Sequence, residues 1–410
     1  MKNLMLFFAV MGPGFITANV DNDAGGIATY SLAGANFGYS LLWTLLPITI
    51  ALILIQEMGA RMAVVTGKGL ADLIRENFGV KITFYLMAIL FFTNLSNVMA
   101  EFAGVAASLE IFHVSKFISV PLAALFVWML VVKGTYKSVE KIFLGACFFY
   151  VAYIISGIIA HPHWSDVFHQ MLVPQFRFDL KSSVMLTGLI GTTIAPWMQF
   201  YLQSSIVDKG VSIEEYKYLR LDVVSGCILA PVVAFFVVIA CAATLFQAGI
   251  HINTAQDAAV ALEPLAGQHA SWLFAFGLFN ASLFAASVLP LSTAYCICEG
   301  MGWDTGIDKR FNEAPQFFGL YTASIILGAG MILVPRFPLL KIMYFSQVAN
   351  GILLPFILIF MLWLINNKEI MGEFVNSKFL NQISLVVVGI IIMLMVLMLA
   401  LSIASPEEFL

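Results

Sequence analysis

Residues 12–39, GPGFITANVDNDAGGIATYSLAGANFGY, are long and apolar enough to enter a bilayer, yet they carry two carboxylates, Asp21 and Asp23, followed by Ala24-Gly25-Gly26. In an uninterrupted spanning helix these features conflict. An ionised carboxylate at membrane depth is costly, and each of two adjacent glycines weakens a helix by roughly 1 kcal/mol. The conflict disappears if the helix breaks over residues 23–26. Asp23 and the freed carbonyls then face a polar, protein-lined cavity, the one place where irregular backbone is tolerated in a membrane. Unwound carbonyls beside a carboxylate make a cation site. The competing reading pairs the aspartate with a lysine or arginine of another helix, and no basic residue falls at mid-span to serve it.

The rest of the chain sets this stretch in a membrane. Of 410 residues, 61% are hydrophobic and 11% charged, about half the charge of a soluble chain. The class is therefore an all-α polytopic membrane protein. We count eleven transmembrane helices, about 8–32, 40–65, 79–111, 117–134, 140–160, 184–206, 219–246, 270–299, 315–334, 338–366 and 381–404. Residues 4–11 show no cleavage pattern, so no cleaved signal peptide is expected. With the N-terminus in the cytoplasm, fifteen basic residues lie inside and five outside. Lys2, Arg61, Lys137 and Arg220 are among the former; Lys116, Arg177 and Arg336 are among the latter. That bias sets the orientation in the cell membrane and puts residues 405–410 outside. Cys147, Cys227, Cys241, Cys296 and Cys298 all fall in apolar segments and read as small core residues; Cys296 and Cys298, two apart on a helix, point to different faces.

A second interruption appears in the sixth span, TGLIGTTIAPWMQFYLQSS, around residues 192–197, where Pro196 removes a helix hydrogen bond beside Gly191, Thr192 and Thr193. Two broken helices, each opening a block of five spans, fit an inverted-repeat transporter. The expected division is a first repeat over 1–161, an extracellular loop over 162–183, a second repeat over 184–366, and a connector with helix 11 over 367–410. Among the remaining polar residues, Glu57 and Arg61 read as a structural or gating pair. Glu101 stands alone in span 3, as a proton carrier or a hydrogen-bonded structural acid. Asn280 reads as helix packing, and Gln347 and Asn350 either reach the cavity or bond across helices. All six histidines fall in outer loops or at their edges. His161 and His163 with Asp166 and His169 have some metal-site character, but a solvated loop is the better reading; His113, His251 and His269 have none.

Several segments resemble the natural-resistance-associated macrophage protein (Nramp) family of divalent-metal transporters. They are Gly12-Pro13-Gly14, the Asp23 segment through Gly38-Tyr39-Ser40, Arg61-Met-Ala-Val-Val-Thr-Gly67 with Leu70-Ala71, and Glu101-Phe-Ala-Gly104. The resemblance continues with Ser346-Gln347-Val348, Leu354-Pro355-Phe356 and Met371-Gly372-Glu373-Phe374. It covers nearly the whole chain and implies a LeuT-like 5+5 inverted repeat with helices 1 and 6 broken. The departures are specific. Where the family has Asp-Pro-Gly-Asn, this chain has Asp23-Ala24-Gly25-Gly26, which keeps the aspartate and loses the asparagine ligand. Where the family has Met-Pro-His, it has Ala195-Pro196-Trp197, which loses thioether and imidazole. Span 9 holds no lysine or arginine, although proton-coupled members carry basic residues there. This set of losses resembles the Nramp-related magnesium transporter branch.

The chemistry points the same way. A thioether suits transition metals, and Ala195 removes it. Gly26 removes another ligand and leaves room. Mg²⁺ keeps several waters and takes one or two carboxylates, so a wide, oxygen-only site suits it, and Mn²⁺ accepts such ligands too. The expected metal site is Asp23 with the carbonyls of Val20 and Thr192, the positions Gly26 and Ala195, and Gln347. Asp21, Asn22, Trp197 and Glu101 are additional candidates. The expected function is alternating-access transport of Mg²⁺ or Mn²⁺, uncoupled from protons, with no cofactor and no nucleic-acid partner. A proton-coupled Mn²⁺/Fe²⁺ importer is the first alternative. A sodium-coupled organic-solute symporter is the second, opposed by the two aspartates. A membrane scaffold explains neither break, and no phosphate loop or nucleophile constellation supports an enzyme.

Overall fold

The computed structural model describes residues 12–133, 141–142, 145, 150–175, 179–254, 257–258 and 270–404. Lys2, Lys137, Arg177, Cys147, His269, much of the fifth span and residues 405–410 lie outside them. The helices in chain order are α1 (Pro13–Asn19), α2 (Ala24–Phe37), α3 (Leu45–Thr66), α4 (Leu70–Phe78), α5 (Val80–Glu110), α6 (Lys116–Val132), α7 (Val151–Ile159) and α8 (Trp164–Leu172). They continue with α9 (Leu180–Thr193), α10 (Pro196–Lys209), α11 (Tyr216–Cys241), α12 (Ala270–Met301), α13 (Pro315–Ile332), α14 (Leu339–Asn366), α15 (Lys368–Met371) and α16 (Lys378–Ala404).

Among the described residues, seven helices are long and apolar enough to cross a membrane, and Lys116–Val132 is a shorter apolar one. Spans 1 and 6 fall short because each is split in two, α1 with α2 and α9 with α10. Span 5 enters the described residues chiefly as Val151–Ile159. The all-helical fold with two interrupted helices therefore stands as expected.

The interrupted pairs sit at the centre. α1 and α2 pack on α11, α9 packs on α14, and α5 runs between α12 and α14. Both halves of each broken helix are buried nearly throughout, whereas α16 turns most of its apolar side chains outward. That is the pattern of a protein interior in lipid, where polar and small residues fill the core and apolar ones face the bilayer.

Glycine permits the closest crossings. A Cβ on Gly14 would stand 2.6 Å from the Cα of Val223, and one on Gly226 would stand 2.8 Å from the Cα of Phe15. α1 and α11 thus meet backbone to backbone. Near the end of α3 expected to be cytoplasmic, Arg61 pairs with Glu57 at 3.1 Å. It also donates to Asn376 Oδ1 at 2.5 Å and to the Phe374 carbonyl at 3.1 Å, and Tyr216 donates to Glu57. The pair expected from sequence is the hub that ties α3 to α11 and to the 374–376 segment.

Candidate cation site

The first break differs in position from its expectation. Val20–Asn22 form a 3₁₀ turn, Asp23 is extended (φ −73°, ψ −173°), and its Oδ1 accepts the Gly26 N–H at 2.6 Å as the N-cap of α2. The interruption covers residues 20–23, and Gly25 and Gly26 lie inside the first turn of α2. A capping aspartate supplies the acceptor that starts the helix at Ala24, which outweighs the poor helix propensity of the glycines. Their role is close packing. A Cβ on Gly25 would collide with the Gln347 amide, and one on Gly26 would collide with the Asp21 carbonyl and stand 3.2 Å from Thr192 Oγ1. The room expected at Gly26 is therefore filled by the Asp21 carbonyl.

The second break falls where the sequence placed it. Ile194 leaves the helical region (φ −128°, ψ 61°), Ala195 is extended, and Pro196 is the first residue of α10. At that position its missing N–H costs no intrahelical bond. The Ala195 carbonyl accepts from Met198 N at 3.2 Å and Gln199 Nε2 at 3.4 Å. Trp197, 1% exposed, packs against Tyr201, and its carbonyl accepts from Ser292. The two breaks are joined by Tyr30 and Thr193, whose hydroxyls lie 2.9 Å apart.

Glu101 is not alone. Its Oε2 accepts the Ala24 N–H at 3.2 Å, and its carboxyl meets that of Asp23. α5 therefore brings a second acid to the first break. Gln347, pressed against Gly25, accepts from Asn350 at 2.9 Å, and Asn350 exchanges hydrogen bonds with Asn97 at 2.9 and 3.1 Å. This amide chain links α14 to α5 behind the site. Its available signal was Asn94 and Asn97, one turn apart in an apolar span; Asn94 donates to Thr293 at 3.1 Å. Asp222 was missed as well. It is fully buried on α11 and accepts from the backbone of Gly12, Gly14 and Phe15.

The structure thus gathers Asp23, Glu101, Gly26, Thr192, Gln347 and the turn bearing Val20, Asp21 and Asn22. Several buried atoms there have no hydrogen-bond partner: both Asp21 carboxylate oxygens, Asn19 Oδ1, Asn22 Oδ1, Glu101 Oε1 and Thr192 Oγ1. Buried polar atoms ordinarily find partners, so a cluster made almost wholly of acceptors suits a cation or its hydration water. Among the described residues no lysine or arginine pairs with these acids. Nor do three His, Cys, Asp or Glu side chains converge there as a metal-chelating group. A cation would therefore draw on carbonyls, amides, hydroxyls and water besides its carboxylates.

A cavity of about 350 Å³ lined by Glu110, Asn253 and Met343 shares Leu340 and Met343 with a void of about 10 Å³ that reaches Ala24, the residue after Asp23. His161, His163 and His169 are exposed, but only the first two lie in a loop: Asp166 and His169 are on α8. Cys227, Cys241, Cys296 and Cys298 are buried and free.

A family model described as natural resistance-associated macrophage protein-like matches residues 14–401. The chain is 27% identical to a divalent metal cation transporter MntH of Erwinia tasmaniensis, over 96% of this chain and 94% of that one. It is 27% identical to another MntH from Caldanaerobacter subterraneus, with the same coverage. Among solved structures it is similar to the Eremococcus coleocola manganese transporter, with a TM-score of 0.81 and 22% identity over 99% of this chain and 88% of that one. It is also similar to Mhp1, a nucleobase-cation-symport-1 family transporter, with a TM-score of 0.58 and 13% identity over 98% of this chain and 96% of that one. The last two likenesses concern the fold.

Proposed function

This chain belongs to the natural resistance-associated macrophage protein-like family, and from that premise we propose that it carries divalent metal cations, Mg²⁺ in preference to Mn²⁺, across the cell membrane by alternating access. The observation that carries the reading is the first break. Asp23 ends an unwound turn, meets Glu101, and lies among oxygen acceptors that lack donors. The ligands assigned are Asp23, the carbonyls of the turn from Val20, Thr192 and Gln347.

The preference rests on what is absent from the second break. Ala195 offers no sulfur and Trp197 no imidazole, so neither position favours a soft ion over a hard, reluctantly dehydrated one. Repeats over 1–161 and 184–366 rock against each other around the site, with the N-terminus cytoplasmic and the C-terminus extracellular. The cavity beside Glu110 is the entry from the outside. The membrane potential, about 4.6 kcal/mol per 100 mV for a divalent ion, drives uptake without protons.

A second reading, proton-coupled Mn²⁺ import, draws on the contact of Glu101 with Asp23 and on the MntH relatives. Proteoliposomes loaded with an internal pH dye separate the two. Mg²⁺ entry that follows the imposed potential, leaves internal pH unchanged and disappears in Asp23→Ala supports the first. Acidification that tracks metal entry and vanishes in Glu101→Gln replaces it with the second. Normal uptake by Asp23→Ala refutes both.

A further inference from the structure

Asp21 adds unpartnered oxygens to the cluster around Asp23 but is not among the ligands assigned there, and its own surroundings differ. Asp23 has the Gly26 N–H and Glu101 the Ala24 N–H. Asp21 is 2% exposed, and neither of its oxygens has a hydrogen-bond partner. The Tyr30 hydroxyl lies on its side but is engaged with Thr193, and it closes no hydrogen bond of ordinary geometry to the carboxylate. The next residue repeats the pattern. Asn22 is 1% exposed, donates its Nδ2 to the Ala230 carbonyl at 3.3 Å, and leaves Oδ1 without a partner. Asp21 stands within electrostatic reach of Cys227, about one helical turn before Ala230. The turn packs on α11, and Asn22 is bonded to it there.

We propose that Asp21 and Asn22 form a second hard-cation position on the α11 side of the break, separate from the Asp23 site, and that it takes a monovalent alkali ion, Na⁺. An unpaired carboxylate in a buried site costs several kcal/mol, so something positive belongs there. A proton on Asp21 satisfies one acceptor and leaves the Asn22 oxygen stranded, whereas a metal cation coordinates both. Asp23 lies within electrostatic reach but is engaged with the Gly26 N–H and the Glu101 carboxyl, so Asp21 brings the one uncommitted negative charge to this side, which a monovalent ion balances and a divalent ion overshoots. The carbonyl end of α1, the negative pole of that half-helix, also points into the turn. The inference deepens the transport reading by adding a second, chemically different ion at the same break.

The test is thermal unfolding of the purified protein at constant ionic strength, with NaCl exchanged for N-methyl-D-glucamine chloride. Wild type, Asp21→Asn, Asn22→Ala and Asp23→Asn are compared. Na⁺ is expected to stabilise wild type and Asp23→Asn alike. Its half-saturating concentration should rise by about tenfold or more in Asp21→Asn and Asn22→Ala, as linkage requires when a ligand is lost. If Asp21→Asn does not fold, Asn22→Ala carries the test.

A Na⁺ response that is absent from wild type, is equal in all four proteins, or follows Asp23 alone overturns the proposal. So does stabilisation of Asp23→Asn by Mg²⁺ instead of Na⁺ through Asp21, which would make this a second divalent position. Failure of the transport reading looks different: Asp23→Asn would then carry Mg²⁺ normally while the Na⁺ response still depended on Asp21.

Discussion

Removing Asp222 should undock the first half-helix. α1 has seven residues, too few to hold a helix by itself in any solvent that competes for its backbone. Its N-cap, Gly12, has no side chain to offer. The first-turn N–H groups, which have no intrahelical partners, are taken instead by a carboxylate more than 200 residues away. Gly14 donates to Oδ2 at 2.8 Å, Gly12 to Oδ1 at 3.1 Å and Phe15 to Oδ2 at 3.3 Å. Hydrogen bonds to a charged group contribute about 1.5–3 kcal/mol each. The longest of the three adds little, so two bonds set the scale at about 3–6 kcal/mol. Removing the buried charge relieves its desolvation cost, so Asp222→Ala should cost about 2–4 kcal/mol net. Asp222→Asn keeps one acceptor for Gly14 but turns an N–H₂ toward a donor, and should cost about half as much.

The loss should be local, because it is the docking of α1 on α11 that weakens. Hydrogen exchange read by mass spectrometry in nanodiscs resolves it. Backbone amides of α1 in Asp222→Ala should exchange about thirty- to nearly a thousand-fold faster, the equivalent of 2–4 kcal/mol at about 1.4 kcal/mol per decade. Amides of α9 and α14 should be unchanged. A change in α1 below about threefold, or an equal acceleration across all helices, refutes the latch.

Three further outcomes are expected. Ala195→Met should place a thioether at the second break and move ion preference from Mg²⁺ toward Mn²⁺ and Cd²⁺ in competitive uptake; an unchanged preference means that Ala195 does not line the site. Arg61→Ala strips four hydrogen bonds from the α3 hub and leaves Glu57 without its cation. It should cost about 3–5 kcal/mol in stability, and an unfolding temperature within experimental error of wild type contradicts that. Asp72, outside the spans on α4, has its carboxyl pushed above the ordinary range by burial, only partly offset by Arg75 at 2.8 Å. Its folded state therefore binds the proton more tightly than the unfolded state, and stability falls as pH rises from about 4 through the folded value. Asp72→Asn should remove that slope and leave neutral-pH stability intact despite the lost ion pair. A clear loss near pH 7 shows the Arg75 pair to be worth more than its burial costs.

The elements legible in the sequence were those fixed by local chemistry. A run of about twenty apolar residues is a property of the run itself, so α3, α5, α12, α14 and α16 lie close to where hydropathy puts them. The second break was placed correctly because Pro196 acts on its own backbone. The first was displaced because two local signals disagreed. Gly25-Gly26 indicates a weak helix and Asp23 a helix start, and the contacts that decide between them come from Gln347 and Thr192, far away in the chain. Glu101 was visible as an intramembrane acid, but its partner lies 77 residues away, and no period or spacing encodes that contact. Asp222 gave a weaker signal: it sits at the start of its span, two residues from Arg220, where an acid reads as interfacial, and its partners are backbone N–H groups more than 200 residues away.

Asp222 shows that a buried carboxylate in this fold has two distinct uses, told apart by what it accepts. One that accepts backbone N–H groups on both oxygens, as Asp222 does, is already neutralised by a helix terminus and holds that helix in place. Asp21, with neither oxygen bonded, is the carboxylate assigned to the proposed Na⁺ position. Asp23 stands between them, with one N–H from Gly26 and a carboxyl from Glu101. That intermediate state suits a transport ligand. A carboxylate saturated by donors would bind a cation too weakly to select it, and one with no donors would hold it too tightly to release it. The capping bond from Gly26 also makes ion binding compete with the start of α2. In the proposed transport cycle, a cation that draws Asp23 away loosens the α2 N-terminus, so occupancy of the proposed site and the geometry of the break are one equilibrium, as alternating access requires.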